Sequence, residues 1–244
     1  MSTHVGRLPS LQHSPRVSMS PFSISDSSSI AADSIDAGVS FQALPSETAW
    51  ESEIAAFEAI DRKSPPIQNG IVFIGSSSIA MWDGLESDFP GHAVVNRGFG
   101  GSQIRDSTHH AERILQAHAP RLIVLYAGDN DLADGLTPEQ VAHDFQLFVE
   151  RVYGFLPDAR IAFLSIKPSP SRRHLMPQAQ QANEMIHSIA RQNETLDFID
   201  IFPIMLDGQG APRAELFGPD ELHMKRAGYE LWIPLIAPHL EAVS

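Results

Sequence analysis

Cysteine is absent from this chain of 244 residues, which excludes a disulfide framework, a thiol nucleophile and a thiolate metal site, and leaves the redox compartment open. Basic residues are scarce: 17 Lys and Arg stand against 30 Asp and Glu, a formal net charge of -13. Binding to a polyanion draws on clustered Lys and Arg, so no nucleic-acid partner is expected. No run approaches the roughly 20 apolar residues that a membrane-spanning helix needs. The start also lacks the apolar core of a secretory signal, so a soluble, cytoplasmic protein is expected. What is present, 43% hydrophobic and 19% charged residues, is ordinary for a globular chain able to bury one full core.

Regularly spaced large apolar residues are missing from residues 1–45, where Ser27, Ser28, Ser29 and scattered prolines stand instead. Such a stretch cannot bury enough surface to offset its ordering entropy. Residues 1–45 are therefore expected to be a disordered, dispensable extension and 46–244 the single folded domain. Before Asp26 the extension holds Arg7 and Arg16 but no acid, a bias similar to that of an organelle transit peptide.

From Thr48 onward the pattern is regular. Thr48 and Glu51 fit a capping box, Trp50, Ile54 and Phe57 recur at helical spacing, and Pro65 and Pro66 end the segment. Five short apolar runs rich in β-branched residues then read as buried strands: Ile71–Ile74, Ala93–Val95, Leu122–Tyr126, Ile161–Ile166 and Phe198–Ile201. Helical segments such as the one carrying Val141, Phe145, Phe148, Val149 and Val152 lie between them. That alternation predicts an α/β fold, a parallel sheet with helices on both faces.

In such a sheet the working crevice lies beyond the carboxyl ends of the strands. The first strand runs into Gly75-Ser76-Ser77-Ser78, the second into Asn96-Arg97-Gly98-Phe99-Gly100-Gly101-Ser102, and the third into Gly128-Asp129-Asn130-Asp131. A glycine allows a sharp exit from the first strand, and a hydroxyl at the following helix start faces the crevice where free N–H groups favour negative charge. Ser77 is the candidate nucleophile; the alternative is that Ser76, Ser77 and Ser78 only cap that helix. Ile79 stands where the second glycine of a Gly-x-Ser-x-Gly elbow belongs, which disfavours the α/β-hydrolase fold. Gln103 replaces the third glycine of a dinucleotide fingerprint, so no nucleotide cofactor is expected. The glycines of the second turn instead let backbone N–H groups approach a substrate oxygen, unless they only make a tight turn.

Asn130 offers an uncharged amide donor suited to a developing oxyanion. Asp129 and Asp131 are helix caps or loop anchors, and no His-x-x-x-His or Ca²⁺-loop spacing points to a metal site. Histidine means little by itself, since the chain has 11. His109 and His110 fall in a predicted helix, and His118, His143, His187 and His239 read as surface or satisfied positions. Only His223 has a carboxylate placed by spacing, in Asp220-Glu221-Leu222-His223. One turn of chain can bring Asp220 to Nδ1 and leave Nε2 to take a proton from Ser77; the alternative is a helix cap by Asp220 with an incidental histidine.

Together the four blocks, in this order over residues 46–244, resemble the SGNH (GDSL-like) hydrolase family. Gly75-Ser76-Ser77 is similar to its Gly-Asp-Ser, Asn96 to Gly101 to its glycine block, Gly128-Asp129-Asn130-Asp131 to its Gly-x-Asn-Asp, and Asp220-x-x-His223 to its Asp-x-x-His. The resemblance implies a flavodoxin-like three-layer sandwich with five parallel strands in the order 2-1-3-4-5. It also implies a catalytic triad of Ser77, Asp220 and His223, and an oxyanion hole of the Ser77 and Gly101 N–H groups with the Asn130 side chain. Ser76 departs from the family's acid at that place, which bears on the turn and not on proton transfer. The block Asn96 to Gly101 is further similar to that of the platelet-activating-factor acetylhydrolase catalytic subunits, which implies short acyl groups. The expected activity is hydrolysis of a small-molecule acyl ester without cofactor or metal. Carbohydrate deacetylation, lysophospholipid hydrolysis, acyl transfer and a silent binding module stand as alternatives, and the oligomeric state is open.

Overall fold

The computed structural model describes residues 49–241, so the reading of residues 1–45 and the capping role of Thr48 lie outside the described residues. Glu51 directs its carboxylate to Arg113, at 2.7 and 2.9 Å, and not back along its own helix.

Strand and helix alternate. After α1 (Glu51–Lys63), β1 (Ile71–Gly75) leads into the short α2 (Ser77–Ala80) and α3 (Leu85–Asp88), and β2 (Val94–Gly98) into α4 (Ile104–Leu115). Next, β3 (Leu122–Tyr126) leads into α5 (Asp129–Ala133) and α6 (Pro138–Tyr153), β4 (Arg160–Leu164) into α7 (Met176–Ala190), and β5 (Leu196–Ile199) into α8 (Arg226–Glu241). The strands pair in the order β2-β1-β3-β4-β5, and every pair is parallel, the flavodoxin-like arrangement.

Alternation along the strands feeds two cores. Val72, Ile74, Ile123, Leu125 and Phe163 pack under α4, α6 and α7 with Phe145 and Phe148. Ile71, Phe73, Val124 and Leu164 face the other way, against Trp82, Tyr229 and Trp232. There Trp82 meets both Phe73 and Trp232 edge to face, at 5.9 Å between ring centroids. Each such side chain fully removed from water contributes roughly 1.5–3 kcal/mol, and three layers result. Among the described residues no helix is long and apolar enough to cross a membrane.

Several strand boundaries differ from the sequence reading: β2 begins at Val94 and not Ala93, β4 spans Arg160–Leu164 where Ile161–Ile166 is expected, and β5 ends at Ile199 and not Ile201. Asn96, Arg97 and Gly98 belong to β2 and not to the turn after it. As residues of an edge strand they keep polar partners: Asn96 Nδ2 donates to the Ile79 carbonyl at 2.7 Å, and Arg97 pairs with Asp61 beside the buried His118. The fifth strand begins at Leu196, two residues before the run Phe198–Ile201. Its second residue, Asp197, is polar but forms an ion pair across to Arg160 of β4 at 2.9 Å.

Candidate active site

The order β2-β1-β3 sets the turns after these strands side by side, with the β1 turn in the middle. Main-chain contacts fix that arrangement. The Ser76 N–H donates to the Tyr126 carbonyl at 2.9 Å, and the Phe99 N–H to the Gly75 carbonyl at 2.8 Å. Gly75 has a φ of 133°, and a Cβ on it would run into the Tyr126 carbonyl. A Cβ on Gly98 would likewise run into the backbone of α2 at Ala80. Two glycines thus let β2 and β3 close on the turn that carries the serines.

Those serines are not equivalent. Ser76 and Ser78 are buried, with hydroxyls that have no hydrogen-bond partner among the described residues. Ser77 between them is half-buried and is the first residue of α2. Ser76 occupies the N-cap position of that helix, but its side chain makes no capping hydrogen bond. The glycine turn lies against Ser77: a Cβ on Gly100 would sit 4.0 Å from the Ser77 Cβ, while one on Gly101 would meet nothing within 4 Å.

Asn130 stands in α5 at the end of β3 and reaches toward the same turn, its Nδ2 donating to the Ser102 carbonyl at 3.0 Å. Its neighbours are loop anchors. Asp131 accepts the Ile104 N–H at 3.1 Å, tying α5 to the head of α4. Burial lifts the Asp131 carboxyl to about 7, against the bond from Ile104. Asp129 accepts from Lys167 Nζ at 2.9 Å and pairs with Arg172 at 3.0 Å. Burial would raise the Asp129 carboxyl, but the two cations outweigh it and hold it below its ordinary value. Burial likewise opposes the Lys167 charge, which Asp129 and the Tyr126 phenol restore, so its ammonium sits above the usual lysine range.

The Asp220–His223 pair is built from one short loop. Asp220 Oδ1 accepts the N–H groups of Leu222 and His223, each at 3.0 Å, and its Oδ2 meets His223 Nδ1 at 2.6 Å. The His223 ring N–H, followed by these two backbone donors, holds the Asp220 carboxyl well below its usual range. Asp220 therefore shapes the turn and orients the imidazole at once, leaving Nε2 without a hydrogen-bond partner among the described residues. The reversal needs Glu221 at a φ of 57°, a strained value for a residue with a side chain. The Glu221 carbonyl is held by the Ser171 N–H at 3.1 Å. No hydrogen bond joins Ser77 to His223 in this structure; Ser77 is carried by the head of α2 and His223 by the loop before α8.

The sequence-profile match over residues 75–231 is to the GDSL-like Lipase/Acylhydrolase family. The chain belongs to that family. No curated protein matches it, but solved structures do. A GDSL-like lipase from Bacteroides thetaiotaomicron shares 19% identity over 78% of this chain and 100% of its own, with a TM-score of 0.65. A Streptococcus pneumonia protein named for platelet activating factor shares 23% identity over 78% of this chain and 92% of its own, at a TM-score of 0.70. The Clostridium thermocellum family 3 carbohydrate esterase shares 17% over 71% and 98%, at 0.57. At these identities the likeness is one of fold.

Within this GDSL-like fold the segment Lys167 to Arg172, at the end of β4, escaped the sequence reading. It lies at a strand end facing the crevice, the same signal that pointed to the first three turns. Among the described residues no group of three or more His, Asp or Glu side chains is placed to hold a metal ion.

Proposed function

We propose that this member of the acylhydrolase family is a serine esterase that cleaves short-chain acyl esters through an acyl-enzyme. The observation that carries the reading is the contrast at the β1 turn: one half-buried serine between two buried ones, beside a glycine turn to which the Asn130 amide is bonded. The Asp220–His223 pair, in hydrogen-bond contact at 2.6 Å, supplies the second half.

The reaction follows from those groups. Ser77 Oγ attacks the ester carbonyl while His223 Nε2 takes its proton, which requires the two to close to hydrogen-bond reach when substrate binds. The carbonyl electron pair moves to oxygen, where the N–H groups of Ser77 and Gly101 and the Asn130 Nδ2 receive it. The pair then returns, the C–O bond to the alcohol breaks, and His223 delivers the proton to the departing oxygen. Water, deprotonated by the same imidazole, repeats the addition and releases the acid and Ser77. Asp220 keeps the tautomer and stabilises the imidazolium throughout.

Short acyl groups are supported by the similarity of the block Asn96 to Gly101 to that of the platelet-activating-factor acetylhydrolase catalytic subunits. A sugar as the alcohol is the second reading, supported by the likeness to the carbohydrate esterase. The test is a hydrolysis panel of p-nitrophenyl esters of graded chain length, acetylated sugars and lysophospholipids, with mass spectrometry after treatment with an organophosphonate. Turnover of short esters with the adduct on Ser77 is the expected result. An adduct on Ser76 or Ser78, or no hydrolysis of any ester, would overturn the assignment.

A further inference from the structure

Asn130 is held from both sides of its amide. Nδ2 gives one hydrogen to the Ser102 carbonyl at 3.0 Å, and Oδ1 accepts from Arg172 at 2.9 Å. A guanidinium only donates and a carbonyl only accepts, so these partners admit a single orientation of the amide. Flipping it would set donor against donor and acceptor against acceptor. The second Nδ2 hydrogen is then fixed in direction and available to an anion.

Resting on the esterase reading above, we infer that Arg172 is the positioning residue of the oxyanion donor, through its bond to the Asn130 carbonyl. Its own placement is over-determined: the guanidinium also pairs with Asp129 at 3.0 Å, and Asp129 is anchored by buried Lys167. Two cations and one carboxylate leave this cluster with one net positive charge behind the amide. Leu132, Ile166 and Leu175 line the same recess, which keeps the local dielectric low and the charge effective. A charged donor on the carbonyl oxygen draws electron density from the amide and strengthens its N–H as a donor. Arg172 thereby acts on the reaction without touching substrate. Lysine cannot replace it, because a single ammonium lacks the planar fork that serves Asp129 and Asn130 together.

The experiment is a double-mutant cycle on the full chain with p-nitrophenyl acetate, using Arg172→Gln, Arg172→Lys, Asn130→Ala and the combinations. Losing a charged hydrogen bond is expected to lower kcat roughly tenfold to a hundredfold in both Arg172 variants, with KM changed less than about twofold because the oxyanion exists only in the transition state. Arg172→Lys retains the charge opposite Asp129, so its melting temperature should stay near that of the parent and separate positioning from folding. In the Asn130→Ala background either Arg172 variant should have little further effect. An equal loss with and without Asn130, or a change confined to KM, would overturn the inference and leave the esterase reading standing. Full turnover in Asn130→Ala would remove the oxyanion reading itself and the role of Arg172 with it.

Discussion

Replacing Asp131 with asparagine is expected to flatten the dependence of stability on pH. The Asp131 side chain is fully buried; Oδ1 holds the Ile104 N–H at 3.1 Å, while Oδ2 has no partner among the described residues. Burial, reinforced by the nearby charges of Asp129 and Asp144, outweighs the backbone bonds and lifts the carboxyl to about 7. In the unfolded chain an aspartate titrates near ~3.9. Between those values the folded protein retains a proton that the unfolded chain has released. The stability linked to Asp131 is therefore full below about pH 4 and is lost as pH rises through 7, at up to ~1.4 kcal/mol per pH unit. Asparagine has the shape of the protonated acid, keeps a carbonyl for Ile104 and cannot ionise. The gain of Asp131→Asn over the parent should therefore be small at pH 4.5, grow by up to roughly 3 kcal/mol toward pH 8 and level off beyond it. Denaturant unfolding followed by tryptophan fluorescence at pH 4.5, 6, 7, 8 and 9 measures the difference, and the other titrating groups cancel between the two proteins. A difference that stays constant from pH 4.5 to 8 would refute the reasoning, since Asp131 would then titrate alike in the folded and unfolded chains.

Ser77→Ala is expected to lower ester turnover by several orders of magnitude, whereas Ser76→Ala and Ser78→Ala retain most of it. Because each of the latter removes a buried hydroxyl without a partner, neither should lower the melting temperature appreciably; initial rates and thermal melts of the three variants settle this. Asp220→Asn should reduce kcat by roughly tenfold to a thousandfold, less than the ~10⁴ seen for a buried triad acid, because the Asp220 side chain is 51% exposed and water can partly replace it. A silent Asp220→Asn would require another partner for His223. From the composition of residues 1–45 we propose a domain boundary near residue 46, so deletion of residues 1–40 should leave both turnover and melting temperature close to those of the full chain.

How much of this was legible in sequence depended on whether a residue's partner lies nearby in the chain. β3 is a continuous apolar run and its ends are those read from sequence, Leu122 and Tyr126. The start of β5 was hidden because Asp197 breaks the apolar run and makes sense only against Arg160, in a different strand. The same holds for Asn96 and Arg97, polar residues that read as turn and sit in an edge strand with tertiary partners. In the site, the Asp220–His223 spacing foretold a contact that a single turn of chain can close. Lys167 and Arg172 carry no such local signal. Their partners Asp129 and Asn130 lie 38 and 42 residues away, and only the parallel order of β3 and β4 brings them together.

The glycines at 75 and 98 bear on how this site can change over time. Backbone meets backbone at both, so the height and direction of the serine turn are set by main-chain contact and not by the size of any side chain. No repacking of the core can make room for a methyl group at either place without moving backbone, that of β3 at Gly75 and that of α2 at Gly98. Position 76 is under no such constraint: its side chain is enclosed, takes no partner among the described residues and does not fix the turn. The chain can therefore hold serine at position 76 without that side chain setting where residue 77 is delivered. Variation should accordingly be uneven over a few neighbouring positions, nearly frozen at the two contact glycines and limited at position 76 by the enclosed space around the side chain and not by backbone contact.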